Sequence, residues 1–333
     1  MSTAQTRPRI ALAMGDPAGI GAELAARLLV SDVVRENAAL TVFGDRRVLD
    51  EGAHIAGVAP DIEVVRDADA GTGDRHVLVD LGNLDPGDVE RGRATDVGGG
   101  FAIENFRRAL HAAADGKADA VCYTPFNKQA MRLVDPAYDD ESNFVCRELD
   151  WSRPAREFNV LEHVWNARVT SHIPHSAVAA AITEDAILRE LGLTCETMQR
   201  AGIEPRIAVA ALNPHAGDGG NFGREEIDVI EPAVRRAVAE GLPVDGPWPS
   251  DTVFLRVGKG LCNAVLTMYH DQGQIAMKLM GFDRGVTLIG GLPFPVCTPA
   301  HGTAYDIAGK GIADAGATIE AVLLAARMAR RKG

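Results

Sequence analysis

The chain has 333 residues and a net charge of −12, and because single hydrophobic cores usually stop growing below this length, we expect two lobes. Hydrophobic residues make up 46% and charged residues 24% of it, as in an ordinary water-soluble protein, and no apolar run approaches the roughly 18 residues that span a bilayer. The negative charge argues against non-specific nucleic-acid binding, which requires a basic surface.

The amino-terminal residues contain no long apolar stretch, so we expect neither a signal peptide nor a membrane partner. The five cysteines are scattered, odd in number and never spaced as C-x-x-C. This pattern favours free thiols in a reducing cytoplasm over a disulfide framework.

Short apolar, β-branched runs alternate with longer helical patterns. Strands are predicted at 9–14, 40–44, 76–81, 118–124, 167–172, 206–212 and 263–269. Helices are predicted from about 21 and over 98–114, 177–202, 224–240 and 314–331. Such alternation is typical of an α/β protein with a largely parallel sheet covered on both faces. The polar, proline-bearing stretch 134–160 is predicted to be a surface excursion, and the absence of a linker suggests that the lobes share a sheet.

Three of the nine histidines, His172, His215 and His270, occur at or just after the ends of predicted strands. Open α/β sheets bind their ligands at the carboxyl ends of strands. Three imidazoles converging there would hold a borderline divalent metal and leave positions open for substrate. Each histidine alone could equally be a hydrogen-bonded residue at a strand end, but three in the same position favour the metal site.

Three glycine-rich loops, at 15–21, 212–226 and 301–316, follow predicted strands or lead into helices. In the first, GDPAGIG, free backbone N–H groups could face an anion, although a tight turn would also explain the glycines. It lacks the G-x-G-x-x-G spacing of an ordinary dinucleotide site. The small residues of the third loop would let a flat cofactor approach the backbone.

Four charged side chains lie near these loops: Lys128, Asp251, Asp271 and Lys278. A lysine beside a cation can transfer protons, whereas one beside a carboxylate or phosphate is a charge anchor. Asp251 and Asp271 could complete a metal shell, although Asp251 is also a plausible helix N-cap.

These segments together resemble the 4-hydroxythreonine-4-phosphate dehydrogenase family of pyridoxal phosphate biosynthesis, which is related to the isocitrate and isopropylmalate dehydrogenases. The resemblance covers nearly the whole chain and is carried, in family order, by GDPAGIG (15–21), TPFNK (124–128), TSHIP (170–174), LNPHAGDGG (212–220), SDTVF (250–254), MYHDQG (268–273) and HGTAYDIAG (301–309). It implies an isocitrate/isopropylmalate dehydrogenase-like fold with two α/β lobes around a largely parallel sheet. One lobe would comprise roughly 1–125 plus about 280–333. The other, roughly 126–280, would carry the metal site and the dimer contacts, with the active site in the cleft between the lobes.

The resemblance also implies roles for individual residues. His172, His215 and His270 match the metal ligands, one of them supplied by the partner subunit of a homodimer, and the metal could be Zn, Mg, Mn or Co. Lys278 matches a substrate-binding lysine, while Lys128, Asp251 and Asp271 would manage protons. The residues that would hold NAD are His301, Gly302, Thr303, Ala304 and Asp306. The implied reaction is oxidation of a small hydroxy-acid, followed by decarboxylation of the 3-oxo acid.

The chain departs from the family where substrate is recognised. Glu141 and Ser142 replace a histidine and a threonine, Thr287 replaces an asparagine, and Val296 replaces an arginine, the bidentate phosphate ligand that valine cannot imitate. Three functions therefore stay open. The first is a dehydrogenase for 4-hydroxythreonine phosphate or a phosphorylated sugar acid. The second acts on a non-phosphorylated acid such as a cis-dihydrodiol carboxylate, as in terephthalate breakdown. The third, a non-catalytic ligand-binding homologue, is disfavoured by the intact histidines and the NAD-type loop.

Overall fold

The chain passes twice between two structural units. A computed structural model describes residues 7–67 and 75–330. Among these, the first unit comprises residues 7–67, 75–156 and 286–330, and the second comprises residues 157–285. The first boundary between the units was predicted near residue 126. Residues 126–156 instead belong with the first unit, because Phe126, Met131, Tyr138 and Phe144 are buried in its core.

The first unit contains seven of the strands and seven of the helices in the described part of the chain. Its strands are β1 (Arg9–Ala13), β2 (Ala39–Gly44), β3 (Glu63–Val65), β4 (Val77–Asp80), β5 (Ala120–Tyr123), β11 (Val286–Gly290) and β12 (Val296–Pro299). Its helices are α1 (Gly21–Leu29), α2 (Asp32–Asn37), α3 (Arg46–Ala56), α4 (Asp96–Ala114), α5 (Lys128–Val134), α6 (Glu141–Glu148) and α12 (Gly316–Ala329).

The sheet of the first unit has the order β3-β4-β2-β1-β5-β12-β11. All neighbours are parallel except β11 and β12, which form an antiparallel pair. Strand β2 is buried at every position, as expected where helices cover both faces of a parallel sheet. On one face, the Phe106 ring of α4 lies 4.9 Å from Tyr123 and 5.0 Å from Phe126 between ring centroids.

The second unit has a smaller sheet. Its strands are β6 (Arg156–Leu161), β7 (Val164–Arg168), β8 (Ile207–Ala210), β9 (Val244–Trp248) and β10 (Ala264–Thr267). Its helices are α7 (Val178–Ala181), α8 (Glu184–Arg200), α9 (Glu231–Ala239), α10 (Val253–Gly258) and α11 (His270–Gly281). The strand order is β6-β7-β10-β8-β9, with β6 antiparallel to β7 and the other pairs parallel.

The predicted α/β class is confirmed, with local corrections. The helix expected over 177–202 is interrupted, because the Thr183 side chain accepts a hydrogen bond from Ala186 N and begins a new helix there. The stretch 134–160 is not a surface excursion: it contains α6 and β6, and its Tyr138 and Phe144 side chains are buried. All five cysteines are free. Within residues 7–67 and 75–330, no helix combines the length and apolar character needed to cross a bilayer.

Candidate active site

Neighbouring parallel strands bring the three predicted metal-binding histidines to one edge of the second unit's sheet. His172 follows β7, His215 follows β8 and His270 follows β10. Strand β10 lies between β7 and β8, and all three run in the same direction. Their carboxyl ends therefore share an edge, which is where open α/β sheets bind ligands. Each of the three histidines was predicted to follow the end of a strand, and in the structure each does.

At this edge, His172 and His270 have ring centroids 5.9 Å apart, whereas the His215 ring lies 6.0 Å from that of Phe222. His270 Nδ1 is 2.7 Å from Asp271 Oδ1, and this hydrogen bond lowers the pKa of the Asp271 carboxyl. A carboxylate on Nδ1 fixes the imidazole tautomer with its proton on Nδ1 and leaves Nε2 available as a metal ligand.

Within the described part of the single chain, no three His, Cys, Asp or Glu side chains are grouped so as to hold a metal ion. The donor chemistry nevertheless fits a divalent metal, because the residues at the sheet edge are imidazoles and one of them is oriented by a carboxylate. Imidazole nitrogen suits Zn²⁺ or Co²⁺ better than Mg²⁺, which prefers oxygen.

The loop that carries His215 has an unusual backbone. Residues 215–220 all have positive φ, including the non-glycine residues His215 (54°), Ala216 (54°) and Asp218 (46°). The Glu226 side chain, 1% exposed, anchors the loop. Its Oε1 accepts hydrogen bonds from Leu212 N at 2.9 Å and Asn213 N at 2.7 Å, and its Oε2 accepts one from Asn213 Nδ2 at 2.9 Å. This carboxylate is a positioning group that sequence reasoning did not single out.

In the first unit, two helix starts bring together three of the predicted residues. Lys128 opens α5, and Glu141 and Ser142 open α6. Lys128 Nζ lies 3.1 Å from Glu141 Oε2. The buried Ser142 Oγ has no hydrogen-bond partner among the described residues. This cluster therefore combines a lysine held by a carboxylate with a buried hydroxyl whose hydrogen-bonding capacity is unused among the described residues.

Two further residues differ from the family's pattern, and both lie on the antiparallel pair of strands β11 and β12. Thr287 is half-buried and pairs in register with Thr298. Val296 is fully buried and packs in the core of the first unit. Its side chain is enclosed by apolar neighbours, so in this structure it does not itself offer a surface to a substrate.

The loop predicted to hold NAD packs against the first glycine-rich loop. Ile20 N donates a hydrogen bond to Thr303 O at 3.1 Å, and a Cβ on Gly19 would come within 2.6 Å of that oxygen. Ala304 adopts φ 45°. A Cβ on Gly302 would meet no atom within 4 Å, so its backbone is open to a ligand. His301 Nδ1 lies 3.1 Å from Gly302 O, and its buried Nε2 has no hydrogen-bond partner among the described residues.

A buried acid–phenol pair fastens the same loop. Asp16 is 1% exposed; its Oδ1 accepts a hydrogen bond from Ala18 N at 2.9 Å, and its Oδ2 accepts one from the Tyr305 hydroxyl. Burial raises the pKa of the Asp16 carboxyl, and burial together with this bond raises the pKa of the Tyr305 phenol. The two residues are 289 positions apart, which is why sequence reasoning missed the pair.

The remaining predicted residues lie on exposed elements of the second unit. Asp251 is exposed in the turn before α10. Asp251 was suggested as the N-cap of that helix, but the helix begins at Val253 and Thr252 occupies the N-cap position. Lys278 lies on the exposed side of α11, the helix that begins at His270, and its charge contributes to the low pKa of Asp271.

Comparison with known proteins agrees with this arrangement. The model of the family "Pyridoxal phosphate biosynthetic protein PdxA" matches residues 36–325. A Rhizobium meliloti protein named "Putative 4-hydroxythreonine-4-phosphate dehydrogenase 2" is 64% identical over 99% of this chain and 96% of its own length. The crystal structure of 4-hydroxythreonine-4-phosphate dehydrogenase from Klebsiella pneumoniae has a TM-score of 0.83 at 32% identity, covering 97% of this chain and 99% of that one.

A solved structure with lower sequence identity is named for a different substrate. Terephthalate 1,2-cis-dihydrodiol dehydrogenase from Burkholderia xenovorans LB400 has a TM-score of 0.64 at 26% identity, covering 96% of this chain and 98% of that one. All three proteins carry the name of a dehydrogenase, one of them as a putative one, and each aligns over nearly its whole length with this chain. The chain therefore belongs to the PdxA family of dehydrogenases.

Proposed function

We propose that the protein is a metal-dependent, NAD-linked dehydrogenase that oxidises a secondary alcohol of a small hydroxy-acid and releases carbon dioxide from the resulting 3-oxo acid. The observation that carries the proposal is the placement of His172, His215 and His270 after three neighbouring parallel strands, in a chain of a dehydrogenase family.

The proposed metal would be held through imidazole nitrogens, and when bound it would act as a Lewis acid toward the substrate hydroxyl and the developing enolate. The protein prepares two of the ligands. Asp271 holds His270 at Nδ1, which leaves Nε2 to coordinate the metal. Glu226 holds the backbone on which His215 is carried.

Residues of the first unit would serve the organic reactants. The exposed backbone at Gly302 and the strained Ala304 would receive the cofactor. The Ser142 hydroxyl would hydrogen bond to the substrate. Oxidation of the alcohol transfers a hydride to NAD and releases one proton, and protonation of the carbanion left by decarboxylation consumes one. Lys128, paired with Glu141, would accept and return that proton.

We further propose that the active site is shared between two copies of this chain. Helix α11 begins with His270 and exposes an apolar face, in which Ile275 is 61%, Leu279 84% and Met280 45% exposed. Ile173, beside His172, is 42% exposed. Apolar side chains clustered in this way are typical of protein–protein contacts. A second copy covering this face would lie beside both histidines and could complete the ligand set.

The decisive experiment is a screen of hydroxy-acids by NADH absorbance, with and without excess chelator. We expect turnover that is abolished by chelation and restored by Zn²⁺ or Co²⁺ more effectively than by Mg²⁺. Full activity in excess chelator would refute the metal dependence. To test the shared site, His172→Ala and His270→Ala chains are mixed after partial unfolding and refolding. Recovery of activity is expected if the His172 and His270 of one site come from different chains, and none if one chain supplies both.

A non-phosphorylated substrate is the second candidate for the same chemistry. It is favoured by Val296, which is enclosed and cannot donate a hydrogen bond to phosphate, and by Glu141, a carboxylate that would repel a nearby dianion. The screen should therefore pair 4-hydroxythreonine 4-phosphate with a cis-dihydrodiol carboxylate. A kcat/KM for the phosphorylated compound of about 10⁴ M⁻¹s⁻¹ or more, a value typical of natural substrates, would exclude this candidate.

A further inference from the structure

The first unit contains a second polar cavity, at the opposite edge of its sheet from the loops described above. It has a volume of about 310 Å³ and is lined by Arg7, Arg35, Asp61, Arg75 and His76. Arg7 precedes β1, Arg35 lies in the helix before β2, and His76 immediately precedes β4. Because these strands are parallel, the cavity lies at their amino ends.

His76 provides a buried hydrogen-bond donor without an acceptor. The residue is 6% exposed, and its Nδ1 accepts a hydrogen bond from Leu40 N at 3.0 Å. Burial and the charges of Arg35 and Arg7 lower its pKa to about 4, so the ring is neutral near pH 7. A neutral ring that accepts at Nδ1 must carry its proton on Nε2. That Nε2 is buried and has no partner among the described residues.

The same cavity gathers positive charge on a chain whose net charge is −12. Arg7 Nη1 donates to the backbone carbonyl of Arg35, and the charges of both guanidiniums act on the His76 ring. The carboxylates that pair with these arginines are exposed: Arg35 Nη1 lies 3.2 Å from Asp32 Oδ1, whose side chain is 84% exposed, and Arg75 Nη2 lies 3.6 Å from Asp61, whose side chain is 95% exposed. Such solvent-exposed ion pairs are weak. The lining holds three guanidiniums and one carboxylate, so among the described residues it has an excess of positive charge and offers no acceptor to His76 Nε2.

We propose that this cavity binds a small tetrahedral oxyanion, such as a phosphate group, between His76 Nε2–H and the guanidiniums of Arg35 and Arg75. An oxyanion supplies both missing elements, because its oxygens accept the imidazole hydrogen bond and its charge pairs with the arginines. The site lies entirely in the first unit and uses none of the residues assigned to the proposed reaction, so it does not depend on that reaction.

Calorimetric titration with inorganic phosphate, and separately with sulfate, tests the proposal on the wild-type protein and on Arg35→Gln and Arg75→Gln variants. Losing one charge-assisted hydrogen bond should weaken binding by about tenfold or more. Arg108→Gln is the matched control, because Arg108 is an equally exposed arginine paired with a carboxylate on α4 of the same unit. It should bind as the wild type does, and none of these variants should lose dehydrogenase turnover.

Phosphate could also bind at the proposed substrate site, so the Lys278→Ala variant is titrated as well. Binding that persists in Lys278→Ala and is lost in the Arg35→Gln/Arg75→Gln double variant supports the cavity. Binding lost only in Lys278→Ala, or no binding at millimolar phosphate, overturns the proposal. Adenosine monophosphate in a further titration distinguishes the source of the anion: tighter binding than phosphate identifies a nucleotide, and equal or weaker binding identifies the free ion.

Discussion

Replacing Glu226 by Gln tests how the His215 loop is held. Three non-glycine residues of that loop have left-handed backbone, which costs roughly 1–2 kcal/mol each, or about 3–6 kcal/mol together. Glu226 offsets this cost with three hydrogen bonds to its carboxylate, at roughly 1.5–3 kcal/mol each. Together the three bonds contribute about 4.5–9 kcal/mol, which is enough to offset the backbone strain.

In Glu226→Gln, the amide oxygen can keep the two backbone N–H groups, now as neutral hydrogen bonds worth about 1 kcal/mol each. The amide nitrogen would face Asn213 Nδ2, another donor. The two remaining hydrogen bonds would contribute roughly 2 kcal/mol, less than the cost of the left-handed backbone. We therefore expect the loop to relax and His215 to move. Loss of a group that orients a metal ligand typically weakens metal affinity by about 10–100-fold.

The assay is Zn²⁺ affinity by competition with a chromophoric chelator, together with urea unfolding of the metal-free protein. Glu231→Gln is the matched control, because Glu231 is half exposed and its carboxylate pairs with Arg235 on the same helix, α9. It should change stability by less than about 0.5 kcal/mol. Wild-type metal affinity and unchanged stability in Glu226→Gln would show that the carboxylate does not hold the loop.

Three further predictions concern the first unit. Tyr305→Phe leaves the buried Asp16 oxygen without its donor, so we expect KM for NAD to rise severalfold with kcat preserved; an unchanged KM in an enzyme active with NAD would refute the positioning role. His76 has a pKa near 4 when folded and 6.5 as its ordinary value, so its contribution to stability is present above pH 6.5 and is lost as pH falls toward 4, by up to roughly 3 kcal/mol; urea unfolding between pH 7 and pH 4.5 should show a shallower loss in His76→Gln. Val296→Arg buries an unpaired charge, so we expect a loss of about 3 kcal/mol or more by urea unfolding, whereas wild-type stability would show that the position has an outlet to solvent.

The strands that could be predicted from sequence are those buried on both faces. β1, β2, β4, β5, β8 and β10 read as continuous apolar runs because helices cover both sides of the parallel sheet. Strands β3, β6, β9, β11 and β12 were missed: β3 is short and mostly exposed, β9 (VDGPW) is only partly buried and carries a proline, and β12 (VCTP) is short. The strand predicted over 167–172 lies at Val164–Arg168 instead. Helix α6 was missed because its sequence, ESNFVCRE, is mostly polar, although Phe144 and Val145 are buried.

The candidate site also contains residues that could be predicted from sequence and residues that could not. The three histidines could be found because a position after a buried strand is a local feature of the sequence. The groups that orient the site are tertiary: Asp16 meets Tyr305 from the other end of the chain, and Glu226 reaches back to Leu212 and Asn213. No local pattern distinguishes these carboxylates from the many solvated ones, because only the fold decides which are buried.

The two crossings of the chain between the units have a consequence for how the protein folds during synthesis. Strand β12 pairs with β5, with Cys297 and Cys122 in register. After β5 has been synthesised, about 175 further residues must therefore be added before the sheet of the first unit is complete. At 5–20 residues per second this takes roughly 10–35 s. Residues 157–285 leave the ribosome as one uninterrupted stretch within that interval. The second unit can therefore fold first. Until β12 is added, the sheet formed by the amino-terminal strands keeps an unpaired edge at β5, and such an edge is prone to aggregation.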